Sequence, residues 1–177
     1  MNVFILNTGR CGSTTFIKAC QHISNFTALH ESRATSIGED RLNYPNNHIE
    51  ADNRISWFLG RLDQQYGDSA FYVHLSRNIQ ETSKSFARRD GYGIMKAYKE
   101  GILLGGEESA SSEDIARDYI ETVEGNIKHF LKDKSNTMEF HLDSAKDDFR
   151  EFWTHIGATG DLQRALSEWD VNYNAST

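Results

Sequence analysis

Little in this sequence bends or staples the chain. It has one proline, Pro45, and two cysteines, Cys11 and Cys20, in 177 residues. There is no Pro-rich or Gly/Ser-rich tract and no repeat at a fixed period, which excludes a linker, a collagenous array and a solenoid. Two cysteines cannot make the disulfide framework of a small secreted domain. On a helix opening just after Cys11, a rise of about 1.5 Å per residue puts Cys20 roughly 12 Å away. That is beyond the Cα separation of about 7 Å that a disulfide tolerates, so the pair reads as reduced thiols, one of them buried. Long apolar runs are missing too. The opening run Val3-Phe4-Ile5-Leu6 breaks at Asn7, far short of a signal core, and no stretch approaches the roughly 20 apolar residues of a membrane span. A cytoplasmic protein is expected. Positive charge is scarce: 19 Lys and Arg stand against 26 Asp and Glu, for a formal net charge of −7. Nucleic acid is therefore not an expected partner, because its binders carry a basic excess or stripe. A small anion held by a few amides and arginines stays open. His22, His129, His141 and His155 are too scattered for a metal site, and no metal is expected.

What is present suits a single domain over residues 1–177, with 38% hydrophobic residues for a core. Asn2 to Asn7 reads as a buried strand, followed by the turn Thr8 to Gly12 and a helix from Ser13 to Ile23 with Phe16, Ile17, Cys20 and Ile23 at helical spacing. Phe26 to His30 is a second strand candidate. Ser32 to Asn53 is polar and irregular, and Ile55 to Gln65 looks like an amphipathic helix. A third strand, Ala70 to Leu75, runs into Ser76-Arg77 and a helix capped by Asn78. Tyr92 to Leu104 is helical but interrupted by glycines. Glu113 to Lys134 is the longest helical pattern, Thr137 to Leu142 a fourth strand, and two helices, Asp147 to His155 and Leu162 to Trp169, close the chain. Strands separated by helices imply an α/β fold. The expected form is a three-layer α/β/α arrangement around a mostly parallel sheet of about four to five strands, with ligands at the strands' carboxyl ends.

Three segments fall at those ends. The first is Gly9-Arg10-Cys11-Gly12-Ser13-Thr14-Thr15. Glycines permit a tight turn and close backbone approach, the helix N-terminus offers N–H groups and positive potential, and Arg10 adds a fixed charge. These are the parts of a phosphate cradle, although any strand-to-helix turn with a serine cap looks similar on its own. It is not the nucleoside-triphosphatase loop, which needs G-x-x-x-x-G-K-[ST]. In the second segment, Arg77 stands where the third strand ends and Ser85 lies eight residues on. An arginine fork and a hydroxyl facing one cleft can clamp a second phosphate, and each residue alone also fits an ordinary surface. The third segment, His30-Glu31-Ser32, offers two candidate bases beside the first loop.

Together the first two segments resemble the sulfotransferase family. Thr8 to Thr14 is similar to that family's 5′-phosphosulfate loop: a basic residue, a small residue, Gly, then two hydroxyl residues. Phe71 to Asn78, running on to Ser85-Phe86, is similar to its 3′-phosphate segment: a strand, Arg, and Ser eight residues later followed by an aromatic. The resemblance implies a transferase that uses 3′-phosphoadenosine 5′-phosphosulfate as cosubstrate. Arg10 with Gly9, Cys11, Gly12, Ser13, Thr14 and Thr15 would hold the 5′-phosphosulfate, and Arg77 with Ser85 the 3′-phosphate. Glu31, or failing it His30, would be the catalytic base, with Arg10 stabilising the transferred charge. Ile156 to Asp161 resembles a late Gly-rich loop of some members, but only His155 precedes it where those members carry basic residues.

The rivals are an atypical nucleotide or small-molecule kinase, against which the missing loop lysine and the strand ending Leu75-Ser76-Arg77 rather than in aspartate both count, and a non-catalytic nucleotide-binding or interaction module. The acceptor class is open among small molecules, glycans and lipids. Its pocket is expected from Ser32 to Asn53 and Asp90 to Gly106, with room for a partner subunit to complete it.

Overall fold

The first strand follows directly from its sequence. In a computed structural model, which describes residues 1–171 and 173, β1 (Val3–Leu6) is buried along its whole length. It is the middle of a five-stranded sheet, and a strand covered on both faces reads as a continuous apolar run. The strands β2 (Thr27–His30), β3 (His48–Ala51), β4 (Phe71–Ser76) and β5 (Thr137–His141) complete it in the order β2-β3-β1-β4-β5. All four pairings are parallel, so every strand presents its carboxyl end at the same edge.

Side chains alternate across β1 and sort the core into two layers. Val3 and Ile5 face a cluster with Phe16 of α1 (Ser13–Cys20) and with Phe149 and Phe152, while Phe4 and Leu6 face Tyr72 and Tyr119. The helices of the second face are α2 (Leu59–Tyr66), α3 (Ile79–Ala87), α4 (Gly93–Ala97) and α5 (Ser112–Leu131). The first face is closed by α6 (Ala145–His155) and α7 (Leu162–Ser167). The arrangement is the expected three-layer α/β/α fold.

The sequence reading missed β3, placing it inside an irregular stretch. His48 and Glu50 disguise it, yet both are buried: His48 Nε2 lies 2.9 Å from Glu50 Oε2 and its Nδ1 2.8 Å from Thr27 Oγ1. A charged residue survives in a sheet interior only with such partners. The expected helix from Ile55 also divides. A 3₁₀ turn, Asn53–Trp57, is capped by Asp52, and α2 begins only at Leu59. Both cysteines, not one, are buried and free.

The late glycine loop lies away from the turn after β1. Ile23 bridges Gly160, and Ser24 donates its amide to the Thr159 carbonyl at 2.7 Å. Gly157 to Gly160 thus packs at the carboxyl end of α1, a helix length from Gly12. Among the described residues no helix is long and apolar enough to cross a membrane.

Candidate functional site

The turn between β1 and α1 is built by positive φ angles: Gly9 at 90°, Arg10 at 59° and Gly12 at 94°. Successive residues of this kind point backbone amides to one side. The two glycines also clear space. A Cβ on Gly9 would stand 3.2 Å from the Phe86 ring, and one on Gly12 would stand 2.7 Å from Leu142 Cδ1. The first intrahelical bond of α1 runs from the Phe16 amide to the Gly12 carbonyl at 2.9 Å. The amides of Ser13, Thr14 and Thr15 therefore have no carbonyl partner within the helix.

Buried polar groups fix this loop from beneath. Asn7 accepts the Gly9 amide at 2.9 Å, and the Tyr119 hydroxyl donates to the Thr8 carbonyl at 2.8 Å. Asn53 Nδ2 reaches the same carbonyl at 3.4 Å, and the Ser56 hydroxyl donates to the Asn7 carbonyl at 3.2 Å. Sequence reading singled out none of these four side chains. Asn7 was visible as the break in the apolar run, whereas Tyr119 is 111 residues from Thr8.

The loop opens into a cleft of about 1010 Å³ lined by Gly9, Arg10, Gly12, Ser13, Thr14, Thr15, His30, Glu31, Arg77 and Ser85. Of the residues expected from sequence, only Cys11 stays out. Its side chain is buried, and burial pushes the thiol up to about 12, so it is protonated and cannot serve as a nucleophile. The two segments expected to hold phosphates meet: Arg10 Nε donates to Ser85 Oγ at 2.9 Å, although the residues lie 75 apart in the chain. Arg77 is held by Glu81 one turn along α3, with its Nε at 2.9 Å. Arg10 is partly desolvated, which, followed by repulsion from Arg89, lowers its pKa from the usual arginine value. Six basic side chains line the cleft (Arg10, Arg54, Arg77, Lys84, Arg88 and Arg89) against the carboxylates of Glu31, Glu81 and Asp170. In a chain of net charge −7, this local excess gives the cleft a positive potential that favours anions.

At the β2 end, His30 Nε2 lies 3.1 Å from Ser13 Oγ. Glu31 takes a left-handed conformation, φ 51°, unusual for a residue with a side chain. Buried Glu50 secures the turn by accepting the Ser32 amide at 2.7 Å and the Ser32 hydroxyl at 2.6 Å. The Glu31 carboxylate pairs with Arg54 at 3.0 Å. The expected acceptor walls contribute in part: Tyr92 to Met95 line the cleft, but of Ser32 to Asn53 only Asn53 does. The carboxyl-terminal residues Trp169 to Val171 and Tyr173 line it too, which nothing in the sequence signalled.

One inference from sequence needs correction. The strand beside β1 on the other side is β3, and Asp52 follows its last residue, Ala51, so an aspartate does stand just past a strand end next to the loop. It is fully buried. Its Oδ2 lies 2.6 Å from Arg41 and its Oδ1 accepts the Arg54 amide at 2.9 Å. Both oxygens are engaged away from the cleft. Among the described residues no cluster of His, Cys, Asp and Glu is arranged to hold a metal ion.

No family model matches the sequence, and no curated protein matches it. The structure is similar to a solved sulfotransferase domain from the curacin biosynthetic pathway. The identity is 13% and the TM-score 0.68, and the match covers 96% of this chain and 78% of that one. The likeness shows that this chain has a sulfotransferase-like fold.

Proposed function

We propose that the chain is a sulfotransferase that takes its sulfuryl group from 3′-phosphoadenosine 5′-phosphosulfate and passes it to a hydroxyl, or an amine, of an acceptor. The observation that carries this reading is the Arg10–Ser85 contact at 2.9 Å. It joins the loop after β1 and the segment after β4 into one basic cleft, as a ligand with a phosphate at each end of a nucleoside requires. Arg10 and the amides of the α1 N-terminus take the 5′-phosphosulfate, and Arg77 with Ser85 takes the 3′-phosphate. No step is assigned to a metal.

In the transfer, the acceptor oxygen attacks sulfur as the bond from sulfur to the 5′-phosphate oxygen breaks, and 3′-phosphoadenosine 5′-phosphate leaves. Glu31 takes the acceptor's proton. Arg10 and the loop amides stabilise the negative charge that builds on the leaving phosphate, donors already aimed before the reaction starts. His30, bonded to Ser13, is the second candidate for the base. Screening sugar, phenol and lipid acceptors with sulfur-labelled donor tests the reading. Wild type should label at least one class, and Glu31→Gln should lose labelling while still binding the nucleotide. Full labelling by Glu31→Gln would remove Glu31 from the mechanism.

The position of Asp52 is the one observation that favours a kinase instead. A phosphoryl-transfer loop with an aspartate ending the adjacent strand would use it for magnesium. Here that carboxylate is committed to Arg41 and to the Arg54 amide, and the lysine of the nucleotide triphosphate loop is missing.

A further inference from the structure

Arg54 has no place in the mechanism above, yet its guanidinium is fixed from one side and open on the other. It leaves β3 in the turn Asn53–Trp57. Its backbone amide is held by buried Asp52, and its Nη1 lies 3.0 Å from Glu31 Oε1, 3.5 Å from Asn53 Oδ1 and 3.9 Å from Asp52 Oδ1. Among the described residues, every polar contact of this guanidinium falls on Nη1. The Nε and Nη2 groups, the edge with which arginine grips a carboxylate, sulfate or phosphate in two parallel bonds, have none. Arg54 lines the cleft and its side chain is 37% exposed.

The donor does not account for this edge. Arg77 leaves β4, and β4 and β3 flank β1 on opposite sides. The two arginines therefore start two strand spacings apart, about 10 Å. The donor's phosphates already have Arg10, Arg77 and Ser85. Nor is the corner too acidic for another anion. Arg41 balances Asp52 at 2.6 Å and Arg54 balances Glu31 at 3.0 Å, so the four charges cancel.

We propose that the open edge of Arg54 binds an anionic group of the acceptor, so that the acceptor carries a carboxylate, sulfate or phosphate close to the hydroxyl it offers to Glu31. This rests on the sulfotransferase reading. The 3.0 Å between Arg54 and Glu31 sets the spacing: the anion and the nucleophilic oxygen are a few bonds apart, as on an acidic sugar. A neutral sugar would leave the fork unpaired and gain less.

The test is ligand-observed NMR titration of D-glucuronate, D-glucose 6-phosphate and D-glucose against protein saturated with 3′-phosphoadenosine 5′-phosphate, in wild type, Arg54→Gln and Arg54→Lys. At least one acidic sugar should bind about tenfold more tightly than glucose, the effect of one charge-assisted hydrogen bond. Preference for glucuronate alone marks a carboxylate acceptor, and preference for the 6-phosphate a phosphorylated or sulfated one. Arg54→Gln should bind all three alike, Arg54→Lys should fall between, and nucleotide affinity should stay unchanged in both, which also shows that the variants fold. Equal binding of all three sugars by wild type, or a preference that survives Arg54→Gln, would overturn the proposal. If the nucleotide itself does not bind, the donor reading fails. The difference between wild type and Arg54→Gln still decides the anion site, because sugar held by other arginines cancels in that difference.

Discussion

Replacing Arg77 by alanine should weaken binding of 3′-phosphoadenosine 5′-phosphate and leave binding of adenosine 5′-phosphate almost untouched. A hydrogen bond to a charged group contributes about 1.5–3 kcal/mol. Arg77 first has to give up part of its pairing with Glu81, whose carboxylate is 58% exposed, and such surface pairs contribute only about 0–1 kcal/mol. The difference is about 0.5–3 kcal/mol, or roughly 2- to 140-fold in Kd at 1.4 kcal/mol per decade. Isothermal calorimetry with both nucleotides, on wild type and Arg77→Ala, gives four affinities and closes a cycle between side chain and 3′-phosphate. An equal loss for the two nucleotides would refute the reasoning: Arg77 would then contribute only general positive potential, or the substitution would have disturbed the loop. No loss for either would detach Arg77 from the ligand altogether.

Other consequences follow from the same geometry. Gly12→Ala forces a left-handed residue, φ 94°, and puts a methyl 2.7 Å from Leu142 Cδ1. It should lose about 1–2 kcal/mol of stability in urea unfolding, from the strained backbone, since the Leu142 side chain can turn aside, and a variant as stable as the parent would be inconsistent with the turn described. Buried His74 sits between Glu124 and Glu139, each 2.9 Å from one ring nitrogen. Burial alone would lower its pKa, but the two carboxylates override this and lift it from 6.5 to about 9. The folded state then holds a proton that the unfolded chain releases. This contribution is complete below pH 6.5 and lost as pH rises through about 9, at most about 3 kcal/mol. Urea unfolding across that window should show the decline in wild type and not in His74→Leu; an equal decline in both would assign it elsewhere.

Legibility tracked how local the determinants were. The β1 turn and the start of α1 could be read because apolar run, glycines and hydroxyl residues are contiguous. Arg77 and Ser85 could be read because a strand and two helical turns fix their spacing. β3 could not, since Glu50 is tolerated there only through His48 and Ser32, and Ser32 belongs to another segment. The same blind spot put the strand-end aspartate test on Arg77, just past β4, and missed Asp52. The supports of the loop were invisible for the same reason: Tyr119 reaches Thr8 from α5. Arg54 carries no local signal, because Glu31, which fixes its guanidinium, follows another strand. The cleft wall at Trp169 depends on packing against Phe16, Phe140 and Phe149, which no local pattern announces.

The central claim is that this cleft is built for a nucleotide phosphorylated at both 3′ and 5′ positions. Calorimetric titration with 3′-phosphoadenosine 5′-phosphate in the presence of a chelator, set beside ATP with magnesium, tests it most directly. The account predicts clear metal-free binding of the bisphosphate that is weakened on changing Arg10 or Arg77, with ATP weaker. Binding of ATP with magnesium and not of the bisphosphate would contradict it and turn attention to Asp52 and a kinase; binding of neither would leave the sulfotransferase-like fold without the chemistry.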